Sequence, residues 1–334
     1  MIEVLLRMKK STYLINNYII LIGIFYLYNI ECRLQILIDI TTQKIKRGEG
    51  ASYLSKRNAT NEFQKIINYT DRDPAHKESL LRLDQCLCQC KDIYPYKDDR
   101  IVIKTIYNEH ENINASWIHI FEFHSFIAAQ GPNDITIDDF WTMCFKFNVG
   151  RIIMLCKEFE DNKKKCSNYW DQNWNSDIFQ IKECTLLPNG NDLLEEKVII
   201  IFNKITNVTK LFSHIQFKAW PDHGIPDIQN FVPIFERLFK FAYGQRTENE
   251  NYPKVLVHCS DGIGRTGVFL TLYALCHEIQ QQLKEKTDYI IFNVFNFVRK
   301  LKEMRMYSVE NINQYNFIYR FLEEYLNEKN IPQN

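Results

Sequence analysis

The chain has 334 residues, 46% hydrophobic and 14% aromatic, a composition that suits a globular fold with a sizeable core. Lys and Arg total 41 and Asp and Glu total 41, so the net charge is zero and nothing marks a nucleic-acid partner. Ten cysteines spread along a chain of this size suit a reducing compartment, which points to the cytoplasm.

Residues 1–45 form an apolar leader. Arg7, Lys9 and Lys10 precede a stretch, Thr12 to Ile30, that is interrupted only by Asn16, Asn17 and Asn29 among its largely apolar residues. A membrane segment through residues 12–30 is one expectation for it. An amphipathic or buried helix, or an upstream extension, is the other. A spanning segment with this basic flank would leave the remainder outside the cell, which conflicts with reduced cysteines. Residues 46–60 read as a polar linker with Gly48 and Gly50, and residues 61–330 as a single domain.

Within that domain, Glu62 to Asp84 reads as helical with an interruption at Pro74. Cys86, Cys88 and Cys90 alternate with no histidine nearby, which does not match a zinc site, so no metal is expected. Arg151 to Cys156, Lys197 to Phe202 and Leu211 to Ala219 read as strands. Asp227 to Tyr243, Asp288 to Arg305 and Ile312 to Lys329 read as helices. Strands in the middle with helices before and after predict an α/β domain, a twisted mixed sheet flanked by helices on both faces. No repeat is visible, and a monomer is expected.

The most informative stretch runs V-L-V-H-C-S-D-G-I-G-R-T-G from Val255 to Gly267. Val255 to Val257 reads as a buried strand, and Val268 to Leu275 as a buried helix. A strand, a tight loop and a helix N-terminus make an anion site, because loop N–H groups converge and the helix dipole favours negative charge. Cys259 opens the loop and Arg265 closes it. A thiol is nucleophilic only as the thiolate, and this setting favours the anion. Arg265 offers a planar fork matched to two phosphate oxygens. Gly262, Gly264 and Gly267 let the backbone curl, and Thr266 can place a hydroxyl near the sulfur. The combination points to a cysteine attacking a phosphorus atom held by an arginine and a ring of amides.

This segment resembles the signature loop of the protein tyrosine phosphatases, H-C-x5-R followed by Ser or Thr. Trp220 to Pro226 (W-P-D-H-G-I-P) resembles the family's mobile loop that brings in the general acid. Asn112 to Ser116 resembles its N-x-N-A-S segment, Phe126 to Pro132 and Phe140-Trp141 its next two blocks, and Lys165 to Trp170 its K-C-x-x-Y-W strand. Gln314-Tyr315 sits where a late Q-Y pair is expected. The resemblance runs roughly from Asn61 to Tyr325. The isoleucine-, asparagine- and lysine-rich composition around a lone domain is also similar to the phosphatases of parasitoid-wasp viruses, the bracovirus type.

The resemblance implies hydrolysis of phosphotyrosine in proteins through a phosphocysteine. Cys259 would be the nucleophile, Arg265 would bind the phosphoryl oxygens, and Asp222 would be general acid and then base. Ser260, Asp261, Gly262, Ile263 and Gly264 would line the phosphate, and Asp92 would hold a substrate backbone N–H. His258 would tune the thiolate, Glu160 would pair with Arg265, and Lys165 would touch the acid loop. No metal or cofactor is implied, and the partners are phosphotyrosine proteins.

Three positions depart from the family pattern. Asp261 replaces a small residue, most often alanine, and a carboxylate about 4 Å from a like charge costs about 4 kcal/mol at an effective dielectric near 20. Cys90 falls where a tyrosine usually stacks on the substrate ring. Glu310 replaces a glutamine that positions the hydrolytic water, and a carboxylate accepts from water but cannot donate to phosphoryl oxygens. The expectation is an active enzyme with reduced turnover. The alternatives are a phosphotyrosine-binding pseudophosphatase that traps substrates, or a phosphatase for a non-tyrosine substrate such as a phosphoinositide.

Overall fold

The computed structural model describes residues 31, 34–36, 38–52, 54, 56, 59–71, 88, 92–103, 112–121, 124–243 and 253–330. The chain divides into two compact units, Met1–Gln43 and Lys44–Asn334. Described residues of the smaller unit are helical as far as Thr41. No helix among the described residues is long and apolar enough to cross a membrane. The expected membrane segment, residues 12–30, lies outside the described residues, as do Pro74 and Cys90.

The strands, in chain order, begin with β1 (Gln43–Lys46), β2 (Arg100–Val102), β3 (Asn112–Phe121), β4 (His124–Ala129) and β5 (Val149–Met154). A two-residue hairpin follows, β6 (Phe159–Glu160) and β7 (Lys163–Lys164). Then come β8 (Phe179–Leu187), β9 (Leu194–Asn203), β10 (Val208–Phe217), β11 (Lys254–His258) and β12 (Tyr289–Phe292). The helices are α1 (Thr60–Tyr69), α2 (Ile137–Lys146), α3 (Ile228–Tyr243), α4 (Gly264–Lys284), α5 (Val294–Met304) and α6 (Ile312–Asn330).

Eight strands form one sheet in the order β2-β3-β4-β11-β5-β10-β9-β8. Its centre, β4-β11-β5-β10, is parallel, and both flanks are antiparallel. Parallel strands are covered on both faces, which is why β11 reads as an unbroken apolar run and Val255, Leu256 and Val257 are all buried. On the antiparallel flank β9 alternates, with Ile199 and Ile201 buried. Helix α4 is buried on every side over its first half and packs against α5 and α6.

This topology places the chemistry. Strands β4, β5, β10 and β11 all end at the same edge of the sheet, and ligands bind α/β sheets outside the carboxyl ends of parallel strands. Gln130 follows β4, the β6–β7 hairpin follows β5, Trp220 and Asp222 follow β10, and Cys259 follows β11.

Three local expectations change. The helix predicted over Asp288 to Arg305 starts only at Val294, where Asn293 Oδ1 accepts from the Asn296 amide at 2.8 Å and caps it. The apolar run ahead of that cap is β12, paired with β1. Strand β1 ends at Lys46, where the expected polar linker begins, and within that linker Ala51 and Leu54 are buried. The K-C-x-x-Y-W segment is not a strand: β7 stops at Lys164, and Cys166 and Tyr169 are buried by loop packing instead.

Helix α5 is fastened by a buried ion pair, Lys302 Nζ to Asp71 Oδ2 at 2.8 Å, with side-chain exposures of 1% and 8%. Burial presses Lys302 toward neutrality, and Asp71 opposes it. Removing one partner of such a pair leaves a buried charge uncompensated, at a cost of about 3–5 kcal/mol. Asp71→Ala should therefore lower the urea-unfolding free energy by about that amount, and adding Lys302→Met should restore most of it. Equal stabilities for Asp71→Ala and the parent would show the pair to be hydrated.

Candidate active site

The phosphate cradle is built by turning carbonyls outward. Cys259 O meets His258 Nδ1 at 3.0 Å, and Ser260 O accepts from the Gly131 amide at 2.8 Å. Asp261 O accepts from Arg305 Nη2 at 3.0 Å, and Gly262 O from Arg305 Nε at 2.6 Å. In a trans peptide the N–H opposes the C=O. Four consecutive peptide units bound by their carbonyls on the outside therefore leave the N–H groups of Ser260, Asp261, Gly262 and Ile263 facing inward. Helix α4 starts at Gly264, so its N-terminal dipole adds to the same focus.

Two glycines are dictated by this curl. Gly262 has φ +68°, and a Cβ there would lie 2.1 Å from Ala129 O. A Cβ on Gly131 would lie 2.8 Å from Cys259 O.

Arg305 is the residue sequence reasoning missed. It is fully buried and also reaches Asn114 Oδ1 at 3.1 Å and Ser116 Oγ at 3.3 Å. The N-x-N-A-S segment thus serves the cradle through it. Burial pushes Arg305 down to about 10, so it stays charged at neutral pH.

Arg265 lies under the cradle, buried, with Nη1 donating to Glu160 Oε1 at 2.6 Å and to Trp220 O at 3.2 Å. Its Nη2 donates to Asp222 Oδ1 at 3.0 Å. Asp222 Oδ2 is bound tightly by Lys165 Nζ. Burial raises Asp222, but the Lys165 hydrogen bond and the Arg265 and His223 charges outweigh it and hold the carboxyl below its usual range. With Asp222 seated on Arg265, the cavity over Cys259 measures about 10 Å³, room for roughly one water. The acid loop thus sets Asp222 against Arg265 beside Cys259.

Behind the nucleophile runs a directional hydrogen-bond chain. Burial lowers His258 to about 4, so the ring is neutral. A carbonyl only accepts, so Nδ1 carries the proton and Nε2 is bare. Tyr169 OH, 2.7 Å from that Nε2, must donate to it. Its oxygen then accepts from His214 Nε2 at 2.9 Å, and burial keeps His214 neutral as well. Thr266 Oγ1 is buried at the helix start and has no hydrogen-bond partner.

The positions that depart from the family pattern are placed as follows. Asp261 lines the cavity beside Asp222, Cys259 and Glu310. Burial, Glu310 and Asp222 raise its carboxyl, with Lys165 opposing. Glu310 is turned onto the acid loop, with its two oxygens 2.9 and 3.0 Å from His223 Nδ1. Gln314 is buried, accepts from the Glu310 amide at 2.9 Å, and leaves Nε2 without a partner at the cavity wall. Asp92 is exposed at the surface with φ +68°. Ile93 beside it packs with Ile263 and Met306. Among the described residues no group of three or more His, Cys, Asp or Glu side chains is placed to hold a metal.

The model of the family described as protein-tyrosine phosphatase matches residues 85–324. Human receptor-type tyrosine-protein phosphatase C is 31% identical over 310 residues, 90% of this chain and 22% of that protein. Rat tyrosine-protein phosphatase non-receptor type 20 is 32% identical over 242 residues, 71% of this chain and 53% of that protein. The chain thus spans only about a fifth to a half of these relatives. The crystal structure of the catalytic domain of human protein tyrosine phosphatase non-receptor type 18 superposes with a TM-score of 0.65 at 24% identity, covering 83% of this chain and 99% of that one. The same fold is found in a structure of that phosphatase in complex with HER2 phosphopeptides, with a TM-score of 0.62 at 23% identity and coverage of 82% and 97%. Fold, cradle and sequence agree: the chain belongs to the protein-tyrosine phosphatase family.

Proposed function

We propose that this chain hydrolyses phosphotyrosine in proteins through a phosphocysteine intermediate. The observation that carries the reading is the cradle around Cys259, with four carbonyls bound outside it and Arg265 beneath it. An incoming phosphate dianion takes Arg265 Nη2 from Asp222. Cys259 Sγ then forms a bond to phosphorus as the bond to the tyrosine oxygen breaks. Protonated Asp222 delivers its proton to that oxygen. In the second step water attacks phosphorus, Asp222 accepts its proton, and the thiolate leaves. Gln314 Nε2, a buried donor with no partner, is suited to hold that water or a phosphoryl oxygen. The cytoplasm keeps Cys259 reduced; a membrane anchor through residues 12–30 is the alternative that fractionation with and without residues 1–45 decides.

An enzyme of reduced turnover is the second reading, and Asp261 favours it. Three carboxylates, Asp222, Asp261 and Glu310, surround a cavity meant for a dianion. Lys165 offsets part of that repulsion. Asp261→Ala is expected to raise kcat/KM about tenfold, a gain of about 1.4 kcal/mol. Because burial raises the Asp261 carboxyl, acid neutralises it before an ordinary carboxylate, so the gain should shrink as pH falls toward the carboxylate range. A phosphate-release assay on an aryl phosphate checks both points. A burst followed by stalling identifies a slow second step. No burst, with phosphopeptide binding retained, removes the enzyme reading in favour of a trap.

A further inference from the structure

We propose that His223 is a positioning residue whose ring, clamped by Glu310, ties the acid loop to the late loop and holds it closed over Cys259. The proposal deepens the phosphatase reading and rests on it for its kinetic consequence. Two consecutive late-loop residues converge on this one acid-loop residue. Glu310 brings both carboxylate oxygens to Nδ1, at 2.9 and 3.0 Å, and Asn311 Nδ2 donates to His223 O at 3.0 Å.

Both loops are strained where they meet. His223 has φ +51°, Tyr307 +57° and Val309 +56°. A β-branched residue in the left-handed region is a genuine outlier, and such conformations persist only where the surroundings over-determine them. Val309 is fully buried, with its amide on Ile263 O at 3.3 Å. The late loop is thus pinned to the cradle's own backbone and presents Glu310 from a fixed base.

The ring's charge follows from its two faces. Nε2 lies 3.5 Å from Asp222 Oδ2, while Nδ1 meets Glu310. In the neutral ring one nitrogen is bare and would turn a lone pair toward a carboxylate. Only the imidazolium presents an N–H to both. Lys165 also faces it and opposes protonation, and Arg265 and Asp261 lie deeper in the same cavity. The Glu310 hydrogen bond raises His223 most; burial opposes it, and the Glu310 and Asp222 charges add to it.

The sign is then fixed. Closure raises the affinity of His223 for its proton, so the tie is fully made below the open-loop value and is lost as pH rises through the closed-loop value. The family-departing Glu310 thereby holds the acid loop, and Gln314 is left to hold water.

The test uses the full chain, with His223→Asn and Glu310→Gln. Asparagine tolerates positive φ but cannot take the charge. The His223 imidazole resonance, assigned by its absence in His223→Asn, is titrated by NMR in the resting enzyme. It should titrate above the usual histidine range of about 6.5 and move to lower pH in Glu310→Gln. The alkaline limb of kcat, which Asp222 as general acid also sets, should move in both Glu310→Gln and His223→Asn. An unchanged midpoint in Glu310→Gln, or an alkaline limb that His223→Asn leaves where it stands in the parent, overturns the proposal. The NMR arm needs no turnover, so an inactive chain would defeat the phosphatase reading while leaving this tie testable.

Discussion

Cys259→Ser is expected to lower phosphate release by more than about 10⁴-fold while leaving phosphopeptide affinity within a few-fold. The cradle donors are backbone amides fixed by His258, Gly131 and Arg305, and none of them depends on the sulfur. Arg265 keeps its contacts with Glu160 and Trp220. A serine hydroxyl, by contrast, needs a base to become a nucleophile. His258, the nearest histidine in sequence, cannot serve: Nδ1 faces the Cys259 carbonyl and Nε2 is occupied by Tyr169 OH. Phosphate release and phosphopeptide anisotropy, measured on parent and variant together, decide the matter. If the parent binds as the serine variant does and releases no phosphate either, the chain is a trap; hydrolysis surviving in the variant would remove Cys259 from the mechanism.

What could be read from the sequence follows how locally each feature is encoded. The cradle was legible because a strand, a tight loop, a cysteine and an arginine must follow one another in the chain to make it. Arg305 was not, because it acts on carbonyls 43 and 44 residues away, and its own stretch looks like an ordinary helix end. Glu310 marks the limit most sharply. Its identity suggested impaired handling of water, but its direction is set by His223, 87 residues earlier. Strand β8 escaped notice because it is an edge strand with Leu186 and Leu187 exposed, so its alternation fades along its length. Strand β12 was absorbed into the following helix because a four-residue apolar run carries no period of its own.

Asp222→Asn should lower kcat on a phosphotyrosine peptide by about 10² to 10⁴-fold, the range for loss of a positioned acid or base. Held between Lys165 and Arg265, the carboxyl is in the wrong form for the first step. Lys165, Arg265 and His223 overcome burial and hold it below its usual range, so it is ionised at neutral pH. These ion pairs stabilise this arrangement of the loop above the ordinary carboxylate range and are lost as pH falls through the depressed value. A phosphate dianion reverses the balance: it draws Arg265 Nη2 away and brings negative charge alongside, and both changes favour protonation of Asp222. Binding the substrate therefore loads the acid. Asparagine keeps the shape but can neither carry the proton nor make the ion pairs, so only a neutral hydrogen bond has to be broken for phosphate to enter. The variant should bind phosphopeptide more tightly even as it turns over more slowly. Its deficit should also depend on the leaving group, being large for tyrosine, whose phenoxide needs a proton, and small for a nitrophenyl phosphate, whose phenoxide leaves without one. An equal loss on both substrates would assign Asp222 to holding the loop shut rather than to proton transfer.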